Sequence, residues 1–161
     1  MGVESVWQPS LDLIRKRIDL DQARRTIATL KEVGIEPRIY MILGLPGEPE
    51  DIVERTWSFV QETAPDLVIL SLFTVRPGTE VFDDHERFGI AQVEKDWRKT
   101  MHMYGRYDDE LPTLTFHYKP EGPLGKTLTN QQIIENYQEL QRRLKEVGLS
   151  SLPYYKTVDD F

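Results

Sequence analysis

The spacing of apolar positions changes along the chain, and each change marks an element. Leu11, Ile14 and Ile18 give a first short helical stripe. Asp19 can cap a second helix, whose buried face is Ala23, Ile27 and Leu30. Gly34 ends that helix, because glycine accepts the left-handed conformation just past a helix end. Arg38 to Leu43 then reads as a strand that runs into Gly44-Leu45-Pro46-Gly47. A helix from Glu48 to Thr63 follows, with Glu48, Glu50 and Asp51 at the positive end of its dipole. Leu67 to Phe73 is a second clear strand, leading to the turn Arg76-Pro77-Gly78.

Helix and strand alternate with short connections, and both strands are nearly continuous apolar runs. Strands covered on both faces read this way, so the fold class is α/β with a parallel sheet. The pattern admits a doubly wound sheet or part of a barrel. After Gly78 the regularity fades. Thr79 to Arg87 reads as a short helix stopped by Gly89, Val93 to Tyr104 as another, and Leu114 to Tyr118 as an edge strand. Lys119 to Lys126 reads as a loop. The last helix is well signed: Thr129 and Gln132 have capping-box spacing, and Ile133, Ile134, Tyr137, Leu140, Leu144 and Val147 form its stripe up to Gly148. The division expected is 1–89 for the α/β part and 90–161 for a mainly helical C-terminal extension, with the tail from Ser150 peripheral.

Composition narrows the function classes. A net charge of −7 argues against a nucleic-acid partner. The clusters Arg15-Lys16-Arg17, Arg24-Arg25 and Arg142-Arg143 lie within helical patterns beside acids and read as solvated faces. The absence of cysteine excludes disulfides, thiolate zinc sites and a cysteine-ligated cluster within these 161 residues. His85, His102 and His117 match no short metal motif. No stretch approaches the roughly 18 apolar residues of a membrane span, and the N-terminus lacks the pattern of a secretory signal. The expected location is cytoplasmic.

In parallel α/β architectures, ligands collect at the carboxyl ends of strands. That rule selects Gly2–Ser5, Ile42–Glu48 and Thr74–Thr79. Gly44 and Gly47 let the backbone turn sharply or approach a ligand. On local chemistry alone an ordinary strand-to-helix turn is the better account of them, and a surface arginine the better account of Arg76. No nucleophile–base pairing and no phosphate-cradling glycine-rich motif is present. The residues by themselves lead to a parallel α/β unit with a ligand edge.

Taken together, "GVES", "ILGLPGE" and "PGTEVF", in that order and spacing, resemble the second half of a radical S-adenosylmethionine (SAM) domain. The likeness is strongest to the group associated with cobalamin-binding domains, which includes the anaerobic magnesium-protoporphyrin ester cyclases. It spans Gly2 to Phe82 and takes in "SLDLIRKRI" and "ARRTIATLKEVGIEPRIY". The resemblance implies a partial (β/α) barrel in which Gly2–Ser5, Arg38–Leu43 and Leu67–Phe73 are the fourth, fifth and sixth strands, with helices outside. It implies that Glu4 and Ser5 face the ribose and methionine of SAM. Tyr40, Ile42, Gly44, Leu45 and Pro46 would lie toward the adenine, and Val75, Arg76, Pro77 and Gly78 would approach it from the sixth strand. Val6-Trp7 and Val75-Arg76 depart from the family's usual Gly-Ser and Pro-Tyr.

The resemblance also implies a 4Fe-4S cluster, and in some relatives cobalamin, in a full-length parent protein. This chain lacks the cysteine loop, and Met1 falls within the fourth strand, so a piece of a longer protein is expected. Its partner would be the missing N-terminal half-barrel or a second copy, and its substrate a small molecule whose identity is not legible. Two other readings stand beside the enzyme fragment: a noncatalytic binding or split-gene partner module, and an unrelated nucleotide-binding α/β domain. If the barrel reading holds, Arg38, Tyr40 and Ile42 share an inner face with either Ile69, Ser71 and Phe73 or Val68, Leu70 and Leu72. The final helix is expected to cover part of that face.

Overall fold

The computed structural model describes residues 1–96 and 114–150. Its centre is a parallel sheet of β1 (Gly2–Glu4), β2 (Arg38–Leu43) and β3 (Leu67–Leu72), in that spatial order. The crossovers are α1 (Gln8–Leu13) with α2 (Leu20–Glu32), and then α3 (Ile52–Thr63). Sequential order with parallel pairing places both crossovers on one side when each is right-handed. Arg24 of α2 agrees: it pairs with Glu62 of α3 at 3.0 Å and lies over the Phe59 ring.

Side-chain alternation divides the sheet into two unlike faces. Val3, Ile39, Met41, Leu43, Val68, Leu70 and Leu72 are buried beneath helices. On the other face Arg38 and Tyr40 are exposed, and Ile42, Ile69 and Ser71 are half-buried. Register sets Tyr40 beside Ile69 and Ile42 beside Ser71. Of the two inner sets open from the sequence, Ile69 and Ser71 are therefore the pair on the face that none of the described helices covers, in line with Tyr40 and Ile42.

Beyond β3 the chain forms α4 (Glu80–Asp83), a 3-10 turn over His85–Phe88, and β4 (Ile90–Val93). β4 pairs antiparallel with β5 (Phe116–Tyr118). A small hairpin follows, β6 (Glu121–Gly122) with β7 (Gly125–Lys126), and then α5 (Asn130–Glu146). α5 carries the expected capping box at Thr129 and Gln132. Arg143 of α5 pairs with Glu54 of α3 at 2.6 Å and lies 6.0 Å from the Trp57 ring centroid. The chain then returns beside β3, where Ser150 forms a parallel bridge with Val68.

Several expectations need correction. The final helix lies in the outer layer beside α3 and not on the Tyr40–Ile42 face of the sheet, because its apolar stripe packs on β3 and α3. Val147 falls outside that stripe and is exposed. The helix placed over Val93–Tyr104 does not begin at Val93: that residue ends β4, with Ile90 and Val93 buried against β5. The remainder of that segment, from 97 on, lies outside the described residues, as do His102 and the tail from 151. Lys119–Lys126 holds the β6–β7 hairpin. α3 starts at Ile52 instead of Glu48, since Glu48 is drawn into the core and Pro49 follows it. Among the described residues, no helix is long and apolar enough to cross a membrane.

Candidate functional site

The carboxyl ends of β1 and β2 meet at one carboxylate. Glu48 is 2% exposed. Its Oε2 accepts the Gly44 amide at 2.8 Å, and its Oε1 faces the Ser5 hydroxyl at 3.4 Å. The Leu45 amide also points to it. Burial pushes the Glu48 carboxyl up to about 8, while the donors from Gly44, Ser5 and Leu45 pull the other way. The side chain read from the sequence as a charge at a helix start is thus a buried tie between two strand ends. Nearby, the Ser10 hydroxyl donates to the Pro46 carbonyl at 2.7 Å, fixing the turn to α1.

Glu4 sits at the very end of β1 with φ of +68°, a left-handed conformation that a side chain adopts at a cost. The pairing of β1 with β2 is irregular at this point. Glu4 pairs with Lys16 at 3.1 Å and folds back over Gly2, where a Cβ would lie 2.5 Å from its Oε1. Its neighbour Ser5 is turned inward and is 1% exposed. The two residues expected to act together therefore point to different places: Glu4 toward the open side, Ser5 into the tie with Glu48.

The other expected residues divide in the same way. Tyr40, 48% exposed, and Ile42 lie on the open face of β2. Gly44, Leu45 and Pro46 are buried in the turn, leaving backbone as what they can offer. Val75 is buried, while Arg76, Pro77 and Gly78 are exposed on the loop after β3. Gly44 (φ +90°) and Gly47 (φ +80°) both need left-handed backbone. The close approach they permit is to this chain's own extension. A Cβ on Gly44 would meet Ile133 Cγ2 at 2.8 Å, and one on Gly47 would meet Leu124.

Tyr118 completes the turn. Its hydroxyl donates to the Gly44 carbonyl at 2.8 Å. Burial first, and then the charge of Glu48, push the phenol well above its ordinary range. Tyr118, Ile133 and Leu124 were not selected from the sequence. All three reach the turn from the far end of the chain, and an apolar or aromatic residue in a strand, hairpin or helix stripe gives no local sign of such a contact. Among the described residues, no group of His, Asp and Glu has the arrangement of a metal site.

With this geometry in view, comparison with known proteins gives a consistent picture. No family model matches the chain. An anaerobic magnesium-protoporphyrin IX monomethyl ester cyclase from Rubrivivax gelatinosus is 29% identical over 84 residues, which is 52% of this chain and 15% of the cyclase. This chain resembles the anaerobic cyclases. The cyclase of Cereibacter sphaeroides is 29% identical over 143 residues, 89% of this chain and 20% of its own length. An uncharacterized methyltransferase from Pyrococcus horikoshii is 29% identical over 101 residues. The chain thus spans about a fifth or less of the length of the cyclases it matches. In fold it is similar to coproporphyrinogen III oxidase (HemN) from Escherichia coli, described as a radical SAM enzyme. That match has a TM-score of 0.56 and 20% identity, and it covers 92% of this chain and 26% of the oxidase. The cyclase likeness agrees with the resemblance read from "GVES", "ILGLPGE" and "PGTEVF".

Proposed function

We propose that this chain forms the adenosyl-facing wall of a SAM pocket in a radical SAM enzyme. The observation that carries the reading is the joining of the β1 and β2 strand ends through Glu48, which sets the Gly44–Pro46 backbone beside the open face of Tyr40 and Ile42. In this reading the Gly44–Pro46 backbone and Ile42 meet the adenine. Glu4, held by Lys16 at the mouth, accepts from the ribose hydroxyls or the methionyl ammonium. The Arg76–Gly78 loop approaches from the β3 side. The helix-free face is the inside of a partial barrel, a reading supported by α2, α3 and α5 all lying on the opposite side of the sheet. That one-sided layering disfavours the doubly wound, nucleotide-binding alternative, which covers both faces.

The residues present suit SAM and do not suit its cluster. SAM needs polar acceptors and an apolar wall, which Glu4 and Ile42 offer, while the Gly44–Pro46 backbone, its polar groups engaged by Glu48, Tyr118 and Ser10, offers shape. A 4Fe-4S cluster needs thiolates, and the chain has none. The cluster ligands would therefore come from outside these 161 residues, on a companion half-barrel. When bound, SAM and cluster supply the reductive cleavage; this chain's own residues bind, orient and exclude water. Cobalamin, in a longer parent protein, rests only on the motif resemblance.

Titrating the full chain with SAM while following backbone amides by NMR tests the reading. Shifts are expected at Glu4, Tyr40, Ile42, Gly44 and Leu45. Glu4→Gln should weaken binding several-fold without altering the amide shifts of the free protein away from β1. Saturable shifts confined to the helix-covered side, or no shift at millimolar SAM, would overturn it.

A further inference from the structure

We propose that Tyr118 is a positioning residue: by donating its hydroxyl to the Gly44 carbonyl from the C-terminal extension, it fixes the 44–45 peptide and so the turn that receives the adenosyl group. The proposal rests on the SAM-pocket reading for its functional consequence, but the clamp itself stands on the geometry of the free chain.

Gly44 is the conformationally loosest residue of the turn. With φ of +90° and no side chain, its peptide planes are free to rotate unless something holds them. Both of its polar groups are held. The amide goes to Glu48 Oε2 at 2.8 Å, and the carbonyl receives Tyr118 Oη at 2.8 Å. The Leu45 amide, the other end of the 44–45 peptide, also faces Glu48. Rotating that peptide thus breaks the Tyr118 bond and the Leu45 contact together. Glu48 holds the turn from within its own segment; Tyr118 holds it from a residue 74 positions away.

The extension is built to deliver that hydroxyl. Tyr118 stacks edge-on against Phe116 with centroids 4.9 Å apart, and Phe116 against Phe73, at the end of β3, at 5.5 Å. Asn130 at the start of α5 donates to the Phe116 carbonyl at 2.7 Å, tying β5 to the helix whose Ile133 covers Gly44. The ring is therefore placed by packing independent of its hydroxyl, which separates the clamp from the fold. This also accounts for the glycines of the turn: Ile133 and Leu124 occupy the space a side chain would need, so Gly44 and Gly47 admit the extension on one side while their backbone presents the other.

The test compares Tyr118→Phe with His117→Ala, an exposed neighbour on the same strand, in the full chain. Tyr118→Phe keeps the ring stack, so the circular dichroism of the fold should be retained. Three readings are expected to change in Tyr118→Phe and not in His117→Ala. The Gly44 and Leu45 amide resonances should move. The Glu48 carboxyl, followed by carbon NMR, should titrate lower than in the parent chain as water reaches a looser turn. SAM should bind about five- to tenfold more weakly, the effect of losing one well-made hydrogen bond. Unchanged Gly44, Leu45 and Glu48 signals would overturn the clamp, as would equal changes in His117→Ala. If the parent chain binds no SAM, the pocket reading fails, and the amide and carboxyl signals still decide the clamp. If the parent binds SAM and Tyr118→Phe binds it equally well, the positioning role fails.

Discussion

Glu48 concentrates the energetics of the site in one side chain. A carboxyl raised to about 8 in the folded chain, against an ordinary 4.5, binds its proton more tightly when folded than when unfolded. Its contribution is therefore fully present below about pH 4.5 and is lost as pH rises through 8. Between pH 5 and 9 the unfolding free energy should fall by on the order of 3 kcal/mol on this account. Glu48→Gln keeps the acceptor for the Gly44 amide, turns an amide NH2 toward Ser5 where the carboxyl accepts, and cannot ionise. Urea denaturation across that range should show the parent chain losing stability relative to Glu48→Gln, with the variant the more stable at pH 9. Parallel pH curves for the two proteins would show that Glu48 does not hold its proton in the fold. The sequence marks Glu48 only as one of three acids at a helix start, because burial cannot be read from one chain's residue types. Its neighbours Glu50 and Asp51 look alike on paper and remain near the surface, Asp51 in an ion pair with Arg55.

Among the elements, the ones legible in advance have strong local signals. α2 has an acidic cap and a glycine stop; α5 has a reciprocal capping box; β2 and β3 are long apolar runs between turn residues. α5 shows the value of such a signal. Thr129 accepts the Gln132 amide while the Gln132 side chain reaches back to the Thr129 amide. Thr129→Ala should cost about 1 kcal/mol. Thermal denaturation of this variant beside Gln131→Ala, an exposed position within the first turn, checks it: a drop of equal size in both would assign the loss to helix propensity and not to the cap. The strand at Leu114–Tyr118 is legible, and its partner β4 is not. The sequence reads Val93 as the start of a helix, and the Ile90–Val93 spacing suits a helix as well as a strand with a register shift. Long-range pairing with Phe116–Tyr118 decides in favour of the strand, and such pairing leaves no local trace.

For the molecule as a whole, the layering matters more than any single element. Among the described residues helices cover one face of the sheet, and the other shows an exposed Tyr40 with half-buried Ile42, Ile69 and Ser71 beside the edge of β1. Apolar surface next to an open strand edge favours association. The isolated chain is expected to self-associate through this face. The double variant Tyr40→Lys with Ile69→Lys adds like charges at positions paired in register and should shift light scattering toward monomer while the melting transition is retained. A parent chain that is monomeric at all accessible concentrations would remove the basis for this expectation. The parallel α/β class was legible from the residues, while a partial barrel and a strand-end site belong to the proposed reading. The cover of the inner face was not, because an amphipathic helix such as α5 states how much it buries and not against which side.

The reach of Tyr118 and Arg143 has a consequence in time. The β1–β2–β3 core is assembled from neighbouring segments, whereas the Tyr118–Gly44 bond closes a separation of 74 residues and the Arg143–Glu54 pair one of 89. Contacts of long separation bear a larger loop-closure cost and tend to form after the barrier. Weakening either should hasten unfolding while leaving the refolding rate nearly untouched. In stopped-flow experiments Tyr118→Phe would then steepen nothing on the refolding limb and raise only the unfolding limb. The turn at Gly44 would be the last part of the chain to set and the first to come loose, so the lifetime of a formed pocket is governed by the extension and the speed of its formation by the sheet.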